Sequence, residues 1–249
     1  MQTQAYPGKS GAMISTPSLR EQKMFKSKKT MIRVGVLSAA ALVVFGAPAA
    51  FAASSYNVTA GSAPAGTAVG YTATTTGASP QVTFRDTTSG VVRNCASASA
   101  AGTVTVGTIL SGTGIGTVDG AGTVWGTCTG AGGLTFTVTS SGIWSLDATG
   151  DTVGGVTPVS ISGVNLHVSG SGCDFDVTGS VDGTYTNGTS YGTLTLPGTT
   201  SGLTISNVSG GLACVFVGAQ NGDSASLQAT YQVAADIGAY NPIQITSNP

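Results

Sequence analysis

Short runs of alternating apolar and polar residues recur along most of the chain, and they are clearest between Val164 and Val233. Val164, Leu166 and Val168 alternate with Asn165 and His167, and Phe175 and Val177 alternate with aspartates. Leu194-Thr195-Leu196 and the stretch from Leu227 to Val233 repeat the pattern. Side chains on a strand point to opposite faces in turn, so each run offers one apolar and one polar face. Upstream, Tyr56 and Val58 mark a lead-in strand, Val69 and Tyr71 a second, and Val82-Thr83-Phe84 with Val91 to Cys95 a hairpin. Leu134 to Val138 and Ile143 to Asp147 predict two strands separated by a Ser140-Ser141-Gly142 turn. Asp119-Gly120, Asp182-Gly183, Asn187-Gly188 and Asn221-Gly222 tolerate the positive φ of tight hairpins. No helical period persists for ten residues after Ala52. The fold expected is all-β, an antiparallel β-sandwich or barrel-like arrangement.

Two segments depart from the pattern. Between Ala96 and Gly126, glycines 112, 114, 116, 120 and 122 are dense enough to predict an irregular edge or long loop. Gly150 to Gly155 reads as a linker that would divide the domain into two loosely similar halves, 53–150 and 156–249.

The first 52 residues differ in kind. Seven of the nine basic residues lie there, followed by an apolar run from Val34 to Ala47 and then Ala50-Phe51-Ala52. A basic head, a short apolar run and an A-x-A site are the parts of a secretory signal peptide. The run is shorter than the roughly 18 apolar residues of a membrane span. Residues 1–52 are therefore expected to be removed, with Met24 as an alternative start, leaving a secreted, extracellular domain of 197 residues, 53–249. That domain carries nine aspartates against Arg85 and Arg93, a formal charge of −7. Nucleic acid is excluded as a partner, because its recognition needs clusters of Lys and Arg. An envelope surface, a small apolar ligand and further copies of the chain stay open.

All four cysteines follow the signal segment, which implies an oxidising destination and a disulfide framework. Four cysteines allow three pairings. Cys95 with Cys128 and Cys173 with Cys214 is favoured, because each pair then brackets one β-rich stretch. A zinc site is disfavoured by the wide spacings and the lack of any C-x-x-C.

The order Cys128-Thr-Gly, Leu134-Thr-Phe, Gly142-Ile-Trp144, Ser169-Gly-Ser-Gly-Cys173, Val177-Thr-Gly-Ser, Thr184-Tyr-Thr-Asn187 and Gly222-Asp-Ser224 resembles a group of secreted actinobacterial proteins of unassigned function. That group is distantly similar to secreted activator proteins of alkane oxidation. The resemblance spans Val82 to Val233 and implies no catalytic residue.

Candidate chemistry is sparse. His167 is the only histidine, it falls on a polar strand face, and no G-x-S-x-G elbow accompanies it. Asp174 and Asp176 share a face and are weak candidates for a metal or an acid–base pair. A solvated acidic surface explains them as well. Trp144 and Tyr231 share the register of apolar neighbours and are expected in the core, Trp125 is expected against the disulfide, and Tyr191 and Tyr240 at the surface. No cofactor and no catalysis are expected. The first expectation for function is a secreted non-enzymatic structural or surface-associated module; the alternative is an extracellular carrier of a small apolar ligand.

Overall fold

The computed structural model describes residues 55–199 and 202–248. The expected signal peptide lies outside those residues. In chain order the strands are β1 (Ser55–Ala60), β2 (Ala68–Thr75), β3 (Val82–Asp86), β4 (Val92–Cys95), β5 (Ala98–Thr105) and β6 (Gly107–Leu110). They continue with β7 (Gly116–Trp125), β8 (Cys128–Thr129), β9 (Thr135–Ser140), β10 (Ile143–Ala148), β11 (Val156–Gly170) and β12 (Cys173–Thr186). The last are β13 (Gly192–Pro197), β14 (Leu203–Ser209), the five-residue helix α1 (Leu212–Phe216), β15 (Ser224–Ala235) and β16 (Ile243–Asn248).

The pairings resolve into a closed, eight-stranded, up-and-down barrel. Several of its strands are broken into two collinear pieces. β2 and β3 both run antiparallel to β15, so they form one line. β5 and β4 answer them, β7 and β8 come next, and β10 and β9 lie end to end along β11. β11 and β12 form a long hairpin, β13 and β14 both pair with β12, and β15 pairs with both of them before meeting β2 and β3. Each line thus neighbours the next in sequence, and the last closes on the first. Closure removes the exposed edges that an open sheet would carry.

Alternation explains why this sequence closes. β11 buries Val159, Ile161, Val164, Leu166 and Val168 while Asn165 and His167 face out. The inward set changes parity after Ile161, and a bulge between Ser162 and Val164 corrects it. Gly163 supplies that bulge at φ +75°, a backbone conformation most L-residues avoid. Apolar side chains point inward and Thr, Ser, Asn and Asp outward, the reverse of a membrane-spanning barrel. Among the described residues no helix is long and apolar enough to cross a membrane.

A three-stranded sheet, β16-β1-β6, covers one end. Val58, Ala60, Ile243 and Ile245 from it are buried. Side chains tie it down: the Asn187 amide exchanges two hydrogen bonds with the Ile245 backbone, and the Tyr185 hydroxyl donates to Ile243 O at 2.9 Å. At the opposite end the β14–β15 connection, with α1, is stapled to the start of β12 by Cys173–Cys214. Cys95–Cys128 joins β4 to β8 across their ladder. Both disulfides are those the sequence favours.

Four sequence expectations are corrected. The glycine-dense segment 96–126 is not a loop; β5 and β7 are central staves of the barrel. Gly102 shows why: a Cβ there would lie 2.0 Å from Thr117 O and 2.6 Å from the Tyr71 hydroxyl, so the bare backbone makes room for a buried tyrosine lying across it. Asp119-Gly120 and Asp182-Gly183 are not turns but lie within β7 and β12. Gly150 to Gly155 is the hairpin connection of β10 with β11 rather than a linker. Ser140-Ser141-Gly142 does not reverse the chain: β9 and β10 both run antiparallel to β11, and the tripeptide is a kink within one line. The stretches 53–150 and 156–249 are hydrogen-bonded to one another through β1–β16, β2–β15, β3–β15, β9–β11 and β10–β11.

Candidate functional site: an apolar cavity on the barrel axis

An internal space lies on the barrel axis. Every line of the barrel contributes to its wall: Tyr71 and Ala73 from β2, Ala100 from β5, Val118, Thr123 and Trp125 from β7, and Trp144 from β10. Ile161, Val164 and Leu166 from β11, Val181 from β12, Leu194 and Leu196 from β13, and Leu227 and Tyr231 from β15 complete it. Its volume is about 50 Å³. One water needs about 10–15 Å³, so the space suits about three to five heavy atoms. Smaller spaces of about 20 Å³ lie towards each end, one among Phe84, Arg93, Phe136 and Phe175, the other beneath Ile243 and Ile245.

Four of the polar side chains around the axial cavity are already engaged. The Tyr71 hydroxyl donates to Thr117 O at 3.0 Å, and the Thr123 hydroxyl to Asp119 O at 3.0 Å. Trp144 Nε1 donates to Ser141 O at 2.9 Å and Trp125 Nε1 to Ser140 Oγ at 3.2 Å. Burial pushes the Tyr71 and Tyr231 phenols well above their ordinary range, so both are neutral. The cavity therefore presents hydrocarbon and aromatic surface without charge. A charged guest would lose its hydration with nothing to replace it.

The one buried cation among the described residues lies below. The Arg93 guanidinium is 4.9 Å above the Phe175 ring and 5.9 Å from that of Phe136, and it donates to Val217 O. Burial lowers its pKa, and the charge of Asp86 acts in the opposite sense. Asp86, also buried, accepts from Thr88 N and Ser89 N, while its second oxygen and Arg93 Nε have no hydrogen-bond partner. Burial and the neighbouring Asp86 raise the pKa of Asp223, and the Gln220 amide counters them. Arg93, Asp86 and Asp223 plug the end of the barrel. Sequence reading missed them, because only the closed topology brings β3, β4 and the start of β15 together.

The residues singled out from sequence fall elsewhere. His167 faces Asp176 across the β11–β12 ladder on the outer surface, with Nδ1 2.7 Å from Oδ1. Asn207 donates to the other oxygen of Asp176 at 2.7 Å, and these two hydrogen bonds hold its carboxyl below the usual range, Asn207 contributing most. Asp174 sits two residues away and exposed, against Ser209 of β14. Among the described residues no group of three or more His, Cys, Asp or Glu is placed to hold a metal ion. Trp144 and Tyr231 are core residues, as their register implies, and Tyr191 is exposed. Trp125 packs on Phe84, ring centroids 5.3 Å apart, rather than serving the disulfide alone, and Tyr240 is partly buried against the core.

No protein-family model, no curated protein and no solved structure matches this chain. The functional reading therefore rests on the geometry of the barrel itself.

Proposed function

We propose that the chain is a secreted, non-enzymatic carrier whose barrel takes up one small, uncharged, apolar molecule on its axis. The observation that carries this reading is the cavity to which all eight lines of the barrel contribute apolar side chains. An eight-stranded barrel is just wide enough to be filled by its own side chains or to hold one small ligand. Disulfides in place of a larger core, and a polar exterior, suit an extracellular setting.

The size of the space bounds the affinity. The best small ligands gain at most about 1.5 kcal/mol per heavy atom. Three to five atoms then give about 4.5–7.5 kcal/mol, so Kd lies no lower than about 3 μM. Cyclopentane, with five carbons, is a suitable test ligand. Titrated into protein carrying ¹³C-labelled methyl groups, it should shift Ile161, Leu166 and Leu227 saturably and leave the exposed Val153 and Ile237 unchanged. Saturable shifts absent up to the solubility limit would reject the carrier.

The competing reading is a structural module with a filled interior. The modest 50 Å³ of free space favours it. Barrel closure argues against assembly through barrel edges, and among the described residues β6 and β16 each have one unpaired side at the rim of the end sheet. An inert interior together with concentration-dependent oligomers would support that module.

A further inference from the structure

We propose that the ligand enters through the side of the barrel, at a seam between β7 and β9 that Trp125 closes; this rests on the carrier reading above. Six of the eight boundaries between lines are backbone ladders along most of their length, and at a seventh, between β12 and the β13–β14 line, pairing lapses from Gly179 to Gly183 except for the Ser180–Gly202 pair. At the eighth, β7 pairs with β10 only from Gly116 to Asp119, and pairing with the next line resumes only at Cys128 opposite Phe136. Between those points Gly120 N reaches Gly142 O, and no ladder joins the rest of 120–127 to 137–141.

The cause is a bulge on β7. Against β5, Asp119 faces Ala101 and Val124 faces Ser99, so Gly120 to Thr123 stand opposite the single residue Ala100. Bulges of this kind re-aim side chains and cluster beside functional sites. Here the bulge ends in Thr123 and Trp125, which both line the axial cavity.

Trp125 spans the wall. Its ring packs inward on Phe84, yet the residue is only partly buried, and its Nε1 crosses the seam to Ser140 Oγ at 3.2 Å. Outside, Val124 and Ile143 are 64% and 66% exposed beside the seam. Along the six continuous ladders backbone hydrogen bonds must break for a ligand to pass, and at the β12 gap the two backbone hydrogen bonds of the Ser180–Gly202 pair must open. At the seam, one side-chain hydrogen bond and one ring rotation suffice. The end sheet, by contrast, is tied down by Asn187 and Tyr185.

The test is the exchange rate of cyclopentane, read from ¹³C-methyl line shapes of Ile161 and Leu166. Ser140→Ala and Ser140→Gly each delete the Trp125–Ser140 hydrogen bond and leave the indole in place. Each should raise uptake and release together by about two- to tenfold, the range for one neutral hydrogen bond, with Kd nearly unchanged. Asn187→Ala, at the end sheet, should leave both rates as they are. Unchanged rates in Ser140→Ala and Ser140→Gly, with cyclopentane still binding, would overturn the seam and leave the carrier standing. Faster exchange in Asn187→Ala alone would move the route to the end sheet. Cyclopentane failing to bind the wild-type protein and both seam variants would remove the carrier, and the seam with it.

Discussion

Removing the Cys173–Cys214 bond by the double substitution Cys173→Ala and Cys214→Ala should destabilise the barrel by about 4 kcal/mol. The bond closes a separation of 41 residues, and the chain entropy withheld from the unfolded state by a loop of that length is worth about 4 kcal/mol. Both half-cystines are buried, so loss of the two sulfur atoms also leaves a small void that adds to this cost. For a domain of this size each kcal/mol moves Tm by about 2–4 °C, so the variant should melt about 8–16 °C lower. Circular dichroism melts of wild type and variant, both with Cys95–Cys128 intact, read this directly. The local consequence is separable: α1 and the end of β14 should lose amide protection before the rest, because the bond tethers them to the start of β12. A melting point within about 3 °C of wild type would refute the reasoning, showing that the β12–β14 ladder already constrains the unfolded chain or that this loop contributes no entropy.

Four further outcomes follow from the same geometry. Gly102→Ala should cost about 1–3 kcal/mol by urea denaturation, because its Cβ would meet Thr117 O and the Tyr71 hydroxyl. Asp223 has a raised pKa in the folded state, so the stability it contributes is full below the unfolded carboxylate pKa and is lost as pH rises through the folded one. Asp223→Asn should therefore flatten the fall in Tm on going from mildly acidic to neutral pH, and an unaltered pH profile would count against the buried Asp86–Asp223 pair. Asp176 has the opposite sign: its lowered pKa contributes stability above the unfolded value that is lost as pH falls, and Asn207→Ala should reduce this more than His167→Ala. At neutral pH the exposed His167–Asp176 pair should change stability by no more than about 1 kcal/mol in a double-mutant cycle.

Local pattern made part of this molecule legible. The alternation in β11, β12 and β15 marks strands and their inward faces, and the register of Trp144 and Tyr231 places them in the core. The disulfide pairing was readable because each bond closes within one contiguous stretch of the chain. What failed shares a cause. In the segment 96–126 glycine signals backbone close to a neighbour's side chain, as at Gly102 beside Tyr71, and the partner lies 31 residues upstream in another strand. Asp182-Gly183 has hairpin chemistry but lies inside β12, paired with Ser160 and Val159 of β11, which no local rule anticipates. The cavity, the buried Arg93 and the seam beside Trp125 all depend on closure of the barrel, a contact between the second strand and the last but one.

Xenon pressurisation of crystals tests the central claim most directly, since xenon is uncharged, of suitable size and visible by its anomalous scattering. One xenon atom on the barrel axis, in contact with Leu166, Leu227 and Trp144, is the expected result. A barrel whose axis stays free of xenon at saturating pressure, with side chains filling the space, would contradict the carrier and leave a structural module.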